Sequence, residues 1–148
     1  TSILGIGERN GIASLGGLPG KKSLVAIARA AEDADRRVRF AALQVLSRIH
    51  LPSAYAALFG MLDDVDRKIR ADARNALYIA RARHAEAFRR TLVAVIHSRK
   101  HPGTAEACNF VGDTKDAKII AALRTATKDE RPAVRAAAIR ALRRLGAR

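Results

Sequence analysis

Four histidines, one cysteine and a large excess of arginine are the residues of this 148-residue chain with chemistry to offer. His97 and His101 stand four residues apart, which places two imidazoles on one helix face, and Cys108 is the nearest soft ligand. Pro102-Gly103 interrupts the helix that would carry them, and no carboxylate pattern completes a metal shell. No metal or other cofactor is expected. Residues 16–23, Gly-Gly-Leu-Pro-Gly-Lys-Lys-Ser, have the composition of a phosphate loop. Leu15 stands where the first glycine is required, however, and no strand precedes the stretch, so it reads as a turn between helices. Ser2, Ser14, Ser23, Ser47, Ser53 and Ser98 show no arrangement with a histidine and an acid that would make a nucleophile. No catalytic residue is assigned, and Cys108 reads as a small apolar core residue.

Charge is the stronger signal. Twenty-eight Lys and Arg against 14 Asp and Glu give +14, and arginine outnumbers lysine 21 to 7. The bases cluster: Lys21, Lys22 and Arg29; Arg89, Arg90, Arg99 and Lys100; Lys118, Arg124 and Lys128; and Arg140, Arg143, Arg144 and Arg148. Such a field attracts phosphate backbones or acidic protein surfaces. Aromatics are only 4% with no Trp, which disfavours modules that stack bases on aromatic rings. No zinc-finger spacing or RNP motif points to sequence reading.

The elements that must position these charges follow from a repeat. The segments beginning at Val38, Ile69 and Val134 superimpose, each apolar at offsets 0, 4, 7, 8 and 11, the 3.6-residue period of a helix with one buried stripe. The first two are offset by 31 residues and the last two by 65, close to two periods, which predicts a degenerate copy over 104–111. Each strong copy follows an acidic turn, at Asp33 and Asp35, Asp63 and Asp64, and Asp129 and Glu130, where carboxylates cap free N–H groups. Second helices are predicted over 22–31, 53–62, 85–98 and 116–127. Thirty-one alanines and 49% hydrophobic residues suit close helix–helix seams and disfavour an all-β fold. Helix pairs that cannot bury their stripes alone must stack, which is the logic of a solenoid.

Acidic turn, Val-Arg and Ala-rich periodicity, closed in the last copy by Leu145-Gly146, resemble the HEAT repeats, specifically the short type first described in phycobilisome lyases. The resemblance implies an all-α, right-handed HEAT-like α-solenoid of about four and a half helix-pair repeats. It would fill a single domain over 1–148, with residues 1–17 an atypical Gly-rich first segment. It implies an inter-repeat ladder joining Arg39, Arg70 and Arg135 to the turn acids Asp35, Asp64 and Asp129. It also implies that the second helices line the concave face. The clusters on those helices, Arg29, Arg89, Arg90, Arg99, Lys100, Arg124 and Lys128, are then the expected partner-binding residues. Residues 1–18 additionally resemble a Gly-Glu-Arg-Asn-Gly segment of homocitrate and isopropylmalate synthases. The chain has no room for their barrel, which needs about 250 residues, and it lacks their His-x-His pair.

The expected function is binding without catalysis: a scaffold or adaptor docking an acidic protein surface or a larger assembly. Two alternatives stand beside it, a sequence-independent RNA- or DNA-binding module, and an accessory subunit or domain of a bilin lyase or acyl-condensing synthase. One cysteine, no long apolar run and no secretory signal point to a cytoplasmic protein without membrane contact. The chain is expected to be part of a longer one, or to have its ends covered by a partner.

Overall fold

The computed structural model describes residues 20–147. Among them lie eight α-helices, one 3-10 turn and no strand. The helices are α1 (Lys21–Ala30), α2 (Arg36–Leu46), α3 (Pro52–Met61), α4 (Arg67–Arg83), α5 (Ala85–His97), α6 (Thr104–Ala107), α7 (Ala117–Ala126) and α8 (Pro132–Arg144); the 3-10 turn, Cys108–Phe110, follows α6 directly. The first helices α2, α4, α6 and α8 alternate with the second helices α1, α3, α5 and α7. Each second helix packs on the next, α1 on α3, α3 on α5 and α5 on α7, while α2 packs on α4 and α6 on α8. The architecture is an α-solenoid. The described residues make three complete pairs flanked by α1 and α8, and the Gly-rich segment 1–17 lies outside them.

One local device starts most of these helices. A side chain two residues before the N-cap accepts the N-cap's own backbone N–H. Asp33 does this for Asp35 and Asp64 for Asp66, both at 2.8 Å, Asp129 for Arg131 at 2.9 Å, and Thr114 for Asp116 at 3.0 Å. The N-cap acids then accept from the first turn, Asp35 from Arg37 N, Asp66 from Ile69 N and Asp116 from Lys118 N. These bonds satisfy donors that a helix start leaves without partners. Helix α3 begins instead at Pro52, and α8 adds Pro132 after its Asp129–Arg131 bond; at both positions the missing N–H costs nothing.

The apolar stripes meet in one core cluster that runs through the helices. Large side chains such as Ile27, Leu43, Leu58, Ile69, Leu77, Leu92 and Leu123 fill it. Ala42, Ala54, Ala73, Ala80, Ala107, Ala122, Ala138 and Ala141 are wholly buried among them, so the alanine excess sits at the seams. Among the described residues no helix is long and apolar enough to cross a membrane.

The degenerate copy at 104–111 is the four-residue α6 and its 3-10 turn. A first helix this short leaves space, and aromatic rings fill it. Phe110 lies 5.6 Å from Phe59, 6.2 Å from Phe88 and 4.9 Å from Tyr78, centroid to centroid, and Tyr55 packs on Phe88 at 6.5 Å. Tyr55, Phe59, Phe88 and Phe110 are therefore used as core at this one place, and Tyr78, 45% exposed, covers Phe110 from the surface. Gly103 makes the approach possible: a Cβ there would stand 2.2 Å from the Phe59 carbonyl oxygen, a distance no side chain tolerates. Thr104, fully buried, donates its hydroxyl toward the carbonyls of Val95, Ser98 and His101 and holds the turn shut.

Candidate interaction surface

Arginines first fasten the turns. Arg39 Nη1 donates to the carbonyls of Asp33 and Ala34, Arg70 Nη1 to those of Asp64 and Val65, and Arg135 Nη1 to those of Asp129 and Glu130. The three Val-Arg arginines thus share one structural role, each closing the turn before its own helix. Arg39 does more. Its Nε and Nη2 grip Asp64 of the next repeat at 2.8 and 3.2 Å, with the two side chains only 12% and 6% exposed. The forked geometry suits guanidinium and not ammonium.

The expected ladder is corrected at its other rungs. Arg70 and Arg135 bond within their own turns. Asp35 caps α2 and pairs with Arg37 at 3.2 Å, also within one repeat. Asp129 accepts from Arg131, whose guanidinium holds its carboxyl down to about 2. The physical reason for the missing rung at Arg70 lies one repeat on, where the position matching Asp64 is His101, which offers no carboxylate.

Further links between repeats come from Arg36, Asp66 and Arg131, which the sequence reading did not single out. Arg36 pairs with Asp66, holding that carboxyl below its ordinary value. Arg131 reaches back a full repeat, donating from Nη1 to the His101 carbonyl at 2.6 Å and from Nη2 to that of Ser98 at 2.8 Å. His101 takes the place of the turn aspartate: its Nδ1 accepts the Gly103 N–H at 2.9 Å and its Nε2 faces the Ala56 carbonyl at 2.8 Å. That pattern requires the neutral ring with its proton on Nε2. Burial holds the imidazole below its usual pKa and, with Arg131, outweighs the bond to Ala56. The signal was present in the spacing, since Asp33, Asp64, His101 and Asp129 all stand two residues before an N-cap.

The residues expected to meet a partner divide into two kinds. Arg29 in the last turn of α1, Arg90 on α5, Arg99 and Lys100 behind α5, Arg124 on α7 and Lys128 behind it are exposed on the second helices and the turns that follow them. Arg89 differs. It lies 2.8 Å from Glu86 and 3.3 Å from Asp116, ties α5 to the start of α7, and leaves its side chain 28% exposed. Arg90 touches Glu86 at 3.2 Å and stays 71% exposed. Glu86, held by both arginines, is kept ionised well below the ordinary carboxylate range.

The helix between these bases, α3, carries no charged residue. Cavities flank it on both sides. One of about 330 Å³ lies toward α1, lined by Ala28, Ala31, Glu32, Ala57, Met61 and Pro102 among others. One of about 500 Å³ lies toward α5, lined by Pro52, Arg90, Thr91, Ala94, Val95 and Ser98. Ser53, Ala56 and His101 line both, so the two form a single furrow across α3. A metal reading finds no geometry here, because both nitrogens of His101 face backbone groups and Cys108 is fully buried. Burial pushes the Cys108 thiol up to about 11, which leaves it unreactive at neutral pH.

A protein-family model described as HEAT repeats matches residues 8–78 and 85–148, nearly the whole chain. The chain belongs to the HEAT-repeat family. HEAT repeats generally mediate protein interaction as scaffolds and are typically non-catalytic. The match begins at residue 8 and so runs through most of the synthase-like stretch. Comparison with curated proteins found no match.

Proposed function

We propose that this HEAT-repeat chain is a non-catalytic docking module whose second-helix layer binds an acidic protein surface. The observation that carries the reading is how the charges are distributed after internal pairing. Asp35, Asp64, Asp66, Asp72, Glu86, Asp116 and Asp129 are held in ion pairs within the fold. Arg29, Arg99, Lys100 and Lys128 face solvent along one layer, with Arg90 beside them. A net +14 that is not neutralised internally raises the local concentration of acidic partners and speeds their encounter.

The aromatic cluster favours protein over nucleic acid. Tyr55, Phe59 and Phe88, the Phe and Tyr rings of the described second helices, are buried as core, so that layer offers no such ring on which single-stranded bases would stack; the exposed Tyr78 lies on a first helix. The accessory-subunit alternative, of bilin-lyase or synthase type, gains no support from Cys108, which is buried, or from His101, whose ring nitrogens face backbone groups. A reducing, cytoplasmic setting fits a single, wholly buried cysteine.

The test compares layers at equal charge. Arg90→Glu, Arg99→Glu and Lys128→Glu together are set against Arg74→Glu, Arg140→Glu and Arg143→Glu on the first helices. A fluorescent Glu/Asp-rich polypeptide and a homopolymeric RNA of equal charge serve as probes. Loss of polypeptide binding in the first triple alone is expected. Equal loss in both triples would reduce the interaction to net charge, and tighter, salt-steep binding of the RNA would favour the nucleic-acid alternative.

A further inference from the structure

At the furrow across α3 the basic surface of the second-helix layer gives way to an apolar recess. Its floor is made by residues too small to fill the space between α1 and α5: Ser53, Ala56 and Ala57 on α3, with Ala94 opposite. The larger cavity, about 500 Å³, has room for a side chain of leucine to phenylalanine size together with the backbone that carries it. His101 forms part of its wall with both ring nitrogens already bonded to backbone, so the imidazole adds no free polar group.

Charge at the rim is not symmetrical. Arg90 lines the larger cavity itself, and Arg99 and Lys100 follow Ser98 at the same end. The smaller cavity has Glu32 at its rim, and its other acid, Asp64, is already gripped by Arg39. An occupant with carboxylates must therefore place them at the α5 end and cross α3 with uncharged residues. A second copy of this chain is a poor occupant, because two bodies of +14 repel each other.

From this geometry we infer that the furrow is an anchor site for an acidic peptide segment of the partner protein, one that seats a single large apolar side chain in the cavity beside Arg90 and sets carboxylates on Arg90, Arg99 and Lys100. The inference rests on the proposed docking function and adds the recognition element to it: charge brings the segment in, and the apolar anchor selects it. Burying one such side chain is worth more than tenfold in affinity.

Three fluorescein-labelled twelve-residue peptides test it by anisotropy: an acidic peptide with one central leucine, the same peptide with serine for leucine, and the leucine peptide with glutamine for every glutamate. The acidic leucine peptide is expected to bind at least tenfold tighter than either control. Ala94→Trp, which fills the cavity from an exposed position, is expected to erase the leucine advantage while leaving the acidic serine peptide unchanged. Ser53→Phe fills it from α3 and repeats the test should the first variant lose its helical spectrum. Equal binding of the leucine and serine peptides, or an undiminished leucine advantage in both filled variants, would overturn the anchor site and leave the basic docking layer standing. Failure of every acidic peptide to bind would overturn both.

Discussion

At the scale of single residues, His101 and Gly103 carry more of the fold than their types suggest. Gly103 admits no side chain, since a Cβ would meet the Phe59 carbonyl oxygen at 2.2 Å. Gly103→Ala is expected to destabilise the protein by about 3 kcal/mol or more, the scale of a severe backbone clash, read by urea denaturation. Gly60 is the counter-case in the same neighbourhood. A Cβ there meets nothing closer than 3.7 Å, and the residue lies inside α3. Gly60→Ala is expected to stabilise by roughly 0.5–1 kcal/mol through lower chain entropy. His101 and His50 both sit below their ordinary pKa, burial being the first cause in each, with His84 and Arg83 acting further on His50. In the fold they are neutral, while in the unfolded chain they titrate near the ordinary 6.5. As pH falls below that value the unfolded chain takes up protons first, so stability is whole above it and declines toward the depressed folded values. His101→Asn keeps an acceptor for the Gly103 N–H and removes one titrating group; the decline between pH 7 and 5 is expected to be shallower. Asp129 acts lower on the scale. Its contribution is complete above the ordinary 3.8 and is lost as pH falls through about 2.

At the scale of elements, the worn third repeat explains the distribution of aromatics. The 3.6-residue stripe makes α2, α4 and α8 legible, and the 65-residue double offset locates the degenerate copy. The offset could not show that the copy shrinks to four residues of helix, because that depends on how closely the 98–104 turn approaches α3. Nor could periodicity show that Phe59, Phe88 and Phe110, distant in sequence, converge to fill the space. Phe110→Ala is expected to cost about 3–5 kcal/mol and to lower the calorimetric midpoint more than an equal truncation of Phe40, which is only partly buried. The ladder shows a similar division. Val-Arg spacing marks an arginine after an apolar anchor, and all three such arginines do fasten turns. Which of them also crosses to a neighbour depends on what stands one repeat away: a carboxylate for Arg39, an imidazole for Arg70. Arg39→Met strips its ion-pair partner from Asp64, which is nearly buried, and is expected to destabilise more than Arg37→Met at an exposed pair.

At the scale of the whole molecule, the two layers divide the work. Turn-closing and repeat-linking arginines absorb part of the cationic excess, and the bases left on the second helices surround α3, which carries no charge. The basic clusters could be read from composition and spacing alone. Arg89 could not be separated from Arg90 that way, because the distinction is made by Asp116 arriving from α7 at 3.3 Å. The furrow was also beyond the sequence, since small residues on one helix become a recess only when walls stand on both sides. The most direct test of the central claim, that the second-helix layer docks an acidic protein segment, is the affinity of the acidic polypeptide for the two charge-reversed triples at about 0.15 M salt, where exposed charges act only over about 8 Å. The expected result is loss of binding on reversing Arg90, Arg99 and Lys128, and near wild-type binding on reversing Arg74, Arg140 and Arg143. Equal weakening by both triples would contradict the claim.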